Sequence, residues 1–262
     1  MAINSSLITQ DNFRAAVADY CNRMTEPAVP GWPIRKFLNQ LDRYYACYVL
    51  IGLFYAGDDD APAATLSRLQ AESRLSPRQT ATLVQTLSTA GLIAVESDAR
   101  DRRQKVLRPQ PELIREVGRS CACFVAAFDR LTGQNLSREL ERSPDALGRL
   151  IARSRSVIRQ SDTVIAAFPR VFAAAGFDCG YQLLVGLMAG HYASGPTHRV
   201  LTYKAMAERF QVSPSHVANV IAHFRAHGII APEKSGAVRP DFREEFEQWC
   251  AAEMQHYAKL MA

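Results

Sequence analysis

Three clusters of side chains in this 262-residue chain have the types and spacing to act on a polyanion. The first is Ser76-Pro77-Arg78-Gln79 with Thr82 and Thr86, which helical spacing places on one outward face. Arg78 can fork onto the major-groove edge of guanine, and Gln79 onto adenine once released from a capping role. The second is a run of five bases, Arg100, Arg102, Arg103, Lys105 and Arg108, against two acids, Asp98 and Asp101. Its net charge of +3 is more than half of the chain's +5. A charge run alone reads equally well as a solvated face. The third cluster, Ser215, His216 and Asn219, puts shorter polar groups at the spacing of the first.

Other candidates lead to blander chemistry. His223 and His227 stand at i, i+4, the spacing of a helical metal pair, but no third ligand follows at a sensible distance, so no metal is expected. Cys121 and Cys123 point to different faces of a helix, and the six cysteines form no CxxC pair; they read as reduced core residues of a cytoplasmic protein. Arg149, Arg153, Arg155 and Arg159 read as a solvated helix face, with contact to phosphate or an anionic effector as the sharper alternative. There is no Gly-rich phosphate loop, nucleophile elbow or supported carboxylate pair, so neither catalysis nor a cofactor is expected. The longest apolar run, Tyr44 to Gly57, is shorter than the ~20 residues of a membrane helix, and Met1 to Gln10 lack the pattern of a signal peptide.

The elements that must position these clusters occur twice. At an offset of 137 residues Tyr44 falls on Tyr181, Tyr55 on Tyr192, Thr65 on Thr202, Ser76-Pro77 on Ser213-Pro214, Gly91 on Gly228 and Ile93 on Ile230. In the first copy Ser76 is an N-cap, Pro77 fits N1 and Gln79 at N3 completes a capping box; Leu83, Val84 and Leu87 form a buried stripe, and Gly91 ends the helix. The second copy repeats the pattern with Val217, Val220, Ile221, Phe224 and Gly228. A shorter helix precedes each capped one, an apolar helix precedes that, and β-prone residues follow. Helix, helix, tight turn, capped helix and hairpin is the order of a winged helix-turn-helix. The second wing is short, keeping only Lys234 and Arg239 as bases between Ala231 and Pro240.

The first unit resembles the multiple antibiotic resistance regulator (MarR) family of bacterial winged-helix repressors. The resemblance rests on Leu75-Ser76-Pro77-Arg78-Gln79-Thr80-Ala81, Gly91-Leu92-Ile93 and the wing Asp98 to Leu107 with its Asp101-Arg102-Arg103. It implies that Asp101 pairs with Arg103 to brace the hairpin, and that Arg100 or Arg102 enters the minor groove. It also implies a small aromatic acid or phenol as effector, bound between the dimerisation helices and the winged unit near Tyr44, Tyr48 and Tyr55. Family members are homodimers of subunits near the repeat length, so the chain resembles two subunits fused.

The expected protein is therefore mostly α with small β-hairpins, two tandem winged units forming a pseudo-dimer. Residues 1–33 carry an N-terminal helix, 34–135 the first unit with its full basic wing, 136–176 linking helices, and 177–262 the second unit with the C-terminal helix. The expected function is sequence-specific transcription regulation on double-stranded DNA, by a monomeric pseudo-dimer or a homodimer, without membrane contact. Because Arg78, Gln79 and Thr82 differ from Ser215, His216 and Asn219, two unlike half-sites are expected instead of a palindrome. The alternatives are a plasmid replication initiator with two winged helices and a tandem winged-helix protein-interaction module.

Overall fold

The offset that aligns the sequence also aligns the three middle helices of the two halves. The structure is a computed structural model that describes residues 7–26, 34–56, 63–97, 103–193, 202–232 and 237–262. The first half runs α1 (Phe13–Thr25), α2 (Ile34–Phe37), α3 (Leu41–Tyr55), α4 (Leu66–Glu72), α5 (Pro77–Thr89), β1 (Ile93–Ser97), β2 (Lys105–Pro109) and α6 (Pro111–Thr132). After a short α7 (Ser137–Arg142), the order returns as α8 (Pro144–Ser161), a 3-10 turn (Val164–Ala167), α9 (Pro169–Ala175), α10 (Gly180–Tyr192), α11 (Tyr203–Phe210), α12 (Pro214–Ala226) and α13 (Pro240–Met261). The helices α5 and α12 are each 13 residues long, and α6 and α13 each 22.

Local chemistry accounts for the boundaries. Ser76 accepts from the Gln79 amide at 3.3 Å while Gln79 Oε1 accepts from the Ser76 amide at 3.0 Å, so the capping box closes. Ser143 and Ser213 cap α8 and α12 the same way from the N-terminal side, each followed by proline. The helices α5 and α12 are followed by Gly91 at φ +70° and Gly228 at φ +67°, left-handed positions that a Cβ would strain.

The two-stranded sheet among the described residues is antiparallel, with Ile93 opposite Pro109, Val95 opposite Leu107 and Ser97 opposite Lys105. Thr65 adds one bridge to Val106, and the Leu107 amide donates to the Ala64 carbonyl at 2.7 Å. In the second half, where a shortened wing is expected, the pairing among the described residues is one bridge, Ile230 to Val238.

Packing is reciprocal. The first helix of each half lies against the other half: α1 packs along α10, and α8 along α3. The segment expected to link the halves thus supplies a core helix of the first, and the N-terminal helix belongs to the core of the second. The paired long helices α6 and α13 run between, α6 touching both α1 and α8. At their meeting Tyr20 stacks on Phe124 at 4.1 Å between ring centres, and Trp249 sets its edge to Phe124 at 5.4 Å. Such pairs add ~1 kcal/mol each beyond the burial of their area. The apolar α3 and α10 are buried over most of their surfaces, as helices hydrophobic all round must be. All six cysteines are buried and unpaired. No helix of the described residues is long and apolar enough to cross a membrane.

Candidate nucleic-acid interface

The sequence turns α5 so that Leu83, Val84 and Leu87 face inward and Arg78, Gln79, Thr82 and Gln85 face solvent. The helix is held from behind: Gln70 of α4 donates to the Pro77 carbonyl at 2.9 Å, and buried Thr80 bonds Ser73 at 3.0 Å. Arg78 is exposed and has no ion-pair partner among the described residues. The other three predicted contacts are more constrained. Gln79 is committed to the capping box, so it reads a base only by giving up that bond. The hydroxyls of Thr82 and half-buried Thr86 turn back onto the Arg78 and Thr82 carbonyls at 3.0 and 2.9 Å, offering methyl groups and a second lone pair outward.

Beside α5 the hairpin presents Lys105, whose ammonium donates to Ser97 at 2.8 Å, and exposed Arg103. Arg108 is not available in the same sense: it pairs with Glu96 at 3.1 Å and lies over the Phe54 ring at 5.2 Å, which fixes the hairpin to α3. Arg100, Arg102 and the brace residue Asp101 lie outside the described residues.

The corresponding face of α12 is partly covered. Ser215 and Asn219 are exposed, but the His216 ring bonds the Asp178 carbonyl at 2.8 Å and is directed at the α9–α10 turn instead of outward, which corrects its placement as a base-reading residue. Phe177 of that turn lies on His223 at 3.4 Å between ring centres, and His223 on His227 at 3.7 Å. Burial and the neighbouring His227 hold the His223 pKa below the usual imidazole value, so its ring is neutral.

Two expectations about other side chains are corrected as well. Arg155 is not a solvated face residue: with only 6% of its side chain exposed, it crosses Gly52 and forks onto Glu72, Nε to Oε2 at 3.0 Å and Nη2 to Oε1 at 2.6 Å. The absence of a Cβ at Gly52 makes that passage possible, because one would stand 2.6 Å from Arg155 Cδ. Tyr55 lies away from any pocket with Tyr44 and Tyr48; its hydroxyl donates to Asp145 at 2.6 Å, at the end of α3 where Gly148 leaves space for its ring.

Tyr44 and Tyr48 do share a cavity, of about 130 Å³, between α3, α6, α10 and α13. The walls are aromatic, with Tyr45, Phe124, Tyr181, Trp249 and Tyr257 completing them. Tyr44 donates to the Val117 carbonyl at 2.8 Å, and burial raises its pKa well above the usual phenol value. Glu253, Arg119, Gln182 and His256 add polar groups. No sequence signal marked these four, because Arg119 and Gln182 sit singly on α6 and α10, Glu253 and His256 stand on α13 in no recurring motif, and only the meeting of both halves brings them together. Burial lifts the Glu253 carboxyl to about 7 although Trp249 Nε1 donates to it at 3.1 Å, and burial lowers His256 to about 4.

No protein-family model, curated protein or solved structure matches the chain.

Proposed function

We propose that the chain is a bacterial-type, effector-responsive transcription regulator in which two winged helix-turn-helix units, joined as a pseudo-dimer, dock on double-stranded DNA. The observation that carries this reading is α5: a capped helix with exposed Arg78 at its N-terminal turn, beside a hairpin bearing Arg103 and Lys105. A recognition helix needs that exposure at its start, where side chains reach base edges, and a flanking hairpin supplies the phosphate contacts that fix its register. The reciprocal packing supports the pseudo-dimer, since it ties the two units into one body that could span successive major grooves about 34 Å apart.

The test is a DNA titration at two salt concentrations with Arg78→Ala and with Arg103→Ala. Loss of Arg78 should cost about 1–3 kcal/mol at one position of the selected site. Loss of Arg103 should weaken all sequences and flatten the salt dependence. If neither variant changes binding, the reading fails. A protein-interaction role has one observation in its favour, the covering of α12 by Phe177 and Asp178, and it would apply to the second unit alone.

A further inference from the structure

The charged side chains of the central cavity are paired but for one acid. Arg119 is matched by Glu116 at 3.4 Å, and Arg74 by Asp162 at 3.1 Å. His256 is neutral at pH 7 and bonds Ser154 at 2.7 Å. Of the two acids in the wall, Glu116 has Arg119, and Glu253 has no basic partner among the described residues. The titratable groups that act on it from neighbouring elements are Tyr44 of α3, Cys121 of α6 and Tyr181 of α10, with Cys250 and Tyr257 on its own helix, and all are uncharged at neutral pH. A second acceptor, Gln182 Oε1, is buried there without a hydrogen-bond partner.

We infer that the cavity binds one organic ammonium ion per chain, its charge against Glu253 and Gln182 and its body among the aromatic rings. A cation gains from the negative faces of aromatic rings most where water is excluded. An anion would instead have to enter beside an unpaired carboxyl. The two Arg119 nitrogens without a partner, Nε and Nη1, can still donate to a hydroxyl or carbonyl oxygen on such an amine. The inference takes up the effector part of the proposed function and replaces the acidic or phenolic effector that the family resemblance implies. It does not depend on DNA binding.

Binding is coupled to a proton. An arriving ammonium favours the ionised carboxylate, so the proton held by Glu253 in the empty cavity leaves to solvent. The experiment is calorimetric titration of the full chain, without DNA, with three probes of one shape: phenethylammonium, neutral 2-phenylethanol and phenylacetate. Phenethylammonium should bind with one site per chain, release protons in buffers of different ionisation enthalpy, and tighten about tenfold between pH 6 and pH 8. Phenylacetate should bind at least about tenfold more weakly. Glu253→Gln, which keeps the side-chain shape, should abolish both the proton release and the preference for the cation. Phenylacetate binding as tightly as the amine, amine binding without proton release, or no binding by any probe would overturn the inference. The DNA titration above succeeds or fails independently.

Discussion

Two buried groups on α13 pull stability in opposite directions as pH changes. Glu253, raised from 4.5 to about 7, binds its proton more tightly folded than unfolded, so its contribution to stability falls as pH rises through that window. His256, lowered from 6.5 to about 4, binds its proton more tightly unfolded, so its contribution rises with pH between those values. The wild-type chain should therefore show a flattened profile between pH 4.5 and 6.5, the range the two windows share. Urea unfolding of Glu253→Gln should give stability that climbs with pH, and His256→Asn stability that declines, each by ~1–3 kcal/mol across the window. Parallel profiles for both variants would contradict the assignment. Neither residue was visible as a site in the sequence. A Glu and a His three residues apart in an amphipathic helix match no cap or recurring motif, whereas Ser76, Gln79 and the outward Arg78 were legible because a cap and a helical face are local properties.

Among the elements, α5 and α8 rest on single contacts that can be removed. Ser76→Ala takes away one half of the capping box and should lower stability by about 1 kcal/mol, while Gln79 keeps its bond to the main-chain amide of residue 76 and the helix start that presents Arg78 is retained. DNA affinity should then fall less than stability does, a comparison made by thermal melting beside titration. The fork between Arg155 and Glu72 ties α8 to α4 across the two halves. Glu72→Ala strands a buried guanidinium and should cost about 3 kcal/mol, read by urea unfolding, and Arg155→Met, which removes the charge with it, should cost less. The element boundaries at the serine-proline pairs and the left-handed glycines follow from the chain's own residues. The shortened second hairpin was foreshadowed by its missing bases. The latch of Phe177 and Asp178 over α12 was not, because it depends on how the α9–α10 turn folds back onto a helix distant in sequence.

For the molecule as a whole, the exchange of first helices makes each half incomplete without the other. Urea unfolding should therefore show one cooperative transition followed alike by tryptophan fluorescence and helical circular dichroism, and two separate transitions would deny that the halves share a core. The repeat itself could be read from the sequence, since paired tyrosines, Ser-Pro caps and glycines fell at one offset. What could not be read is that α1 and α8 change places, because a repeat shows that two units are alike and says nothing of which partner each helix chooses. That fused arrangement has a genetic consequence. A homodimer writes every substitution twice, so an unpaired acid at its axis would meet a second copy of itself. Here α6 and α13 align at an offset of 129, and the residue opposite Glu253 in the repeat is Phe124, which stacks on Tyr20. A single chain can therefore keep a ring that closes the core at one position and a carboxyl at its counterpart, an asymmetry that two identical subunits cannot have.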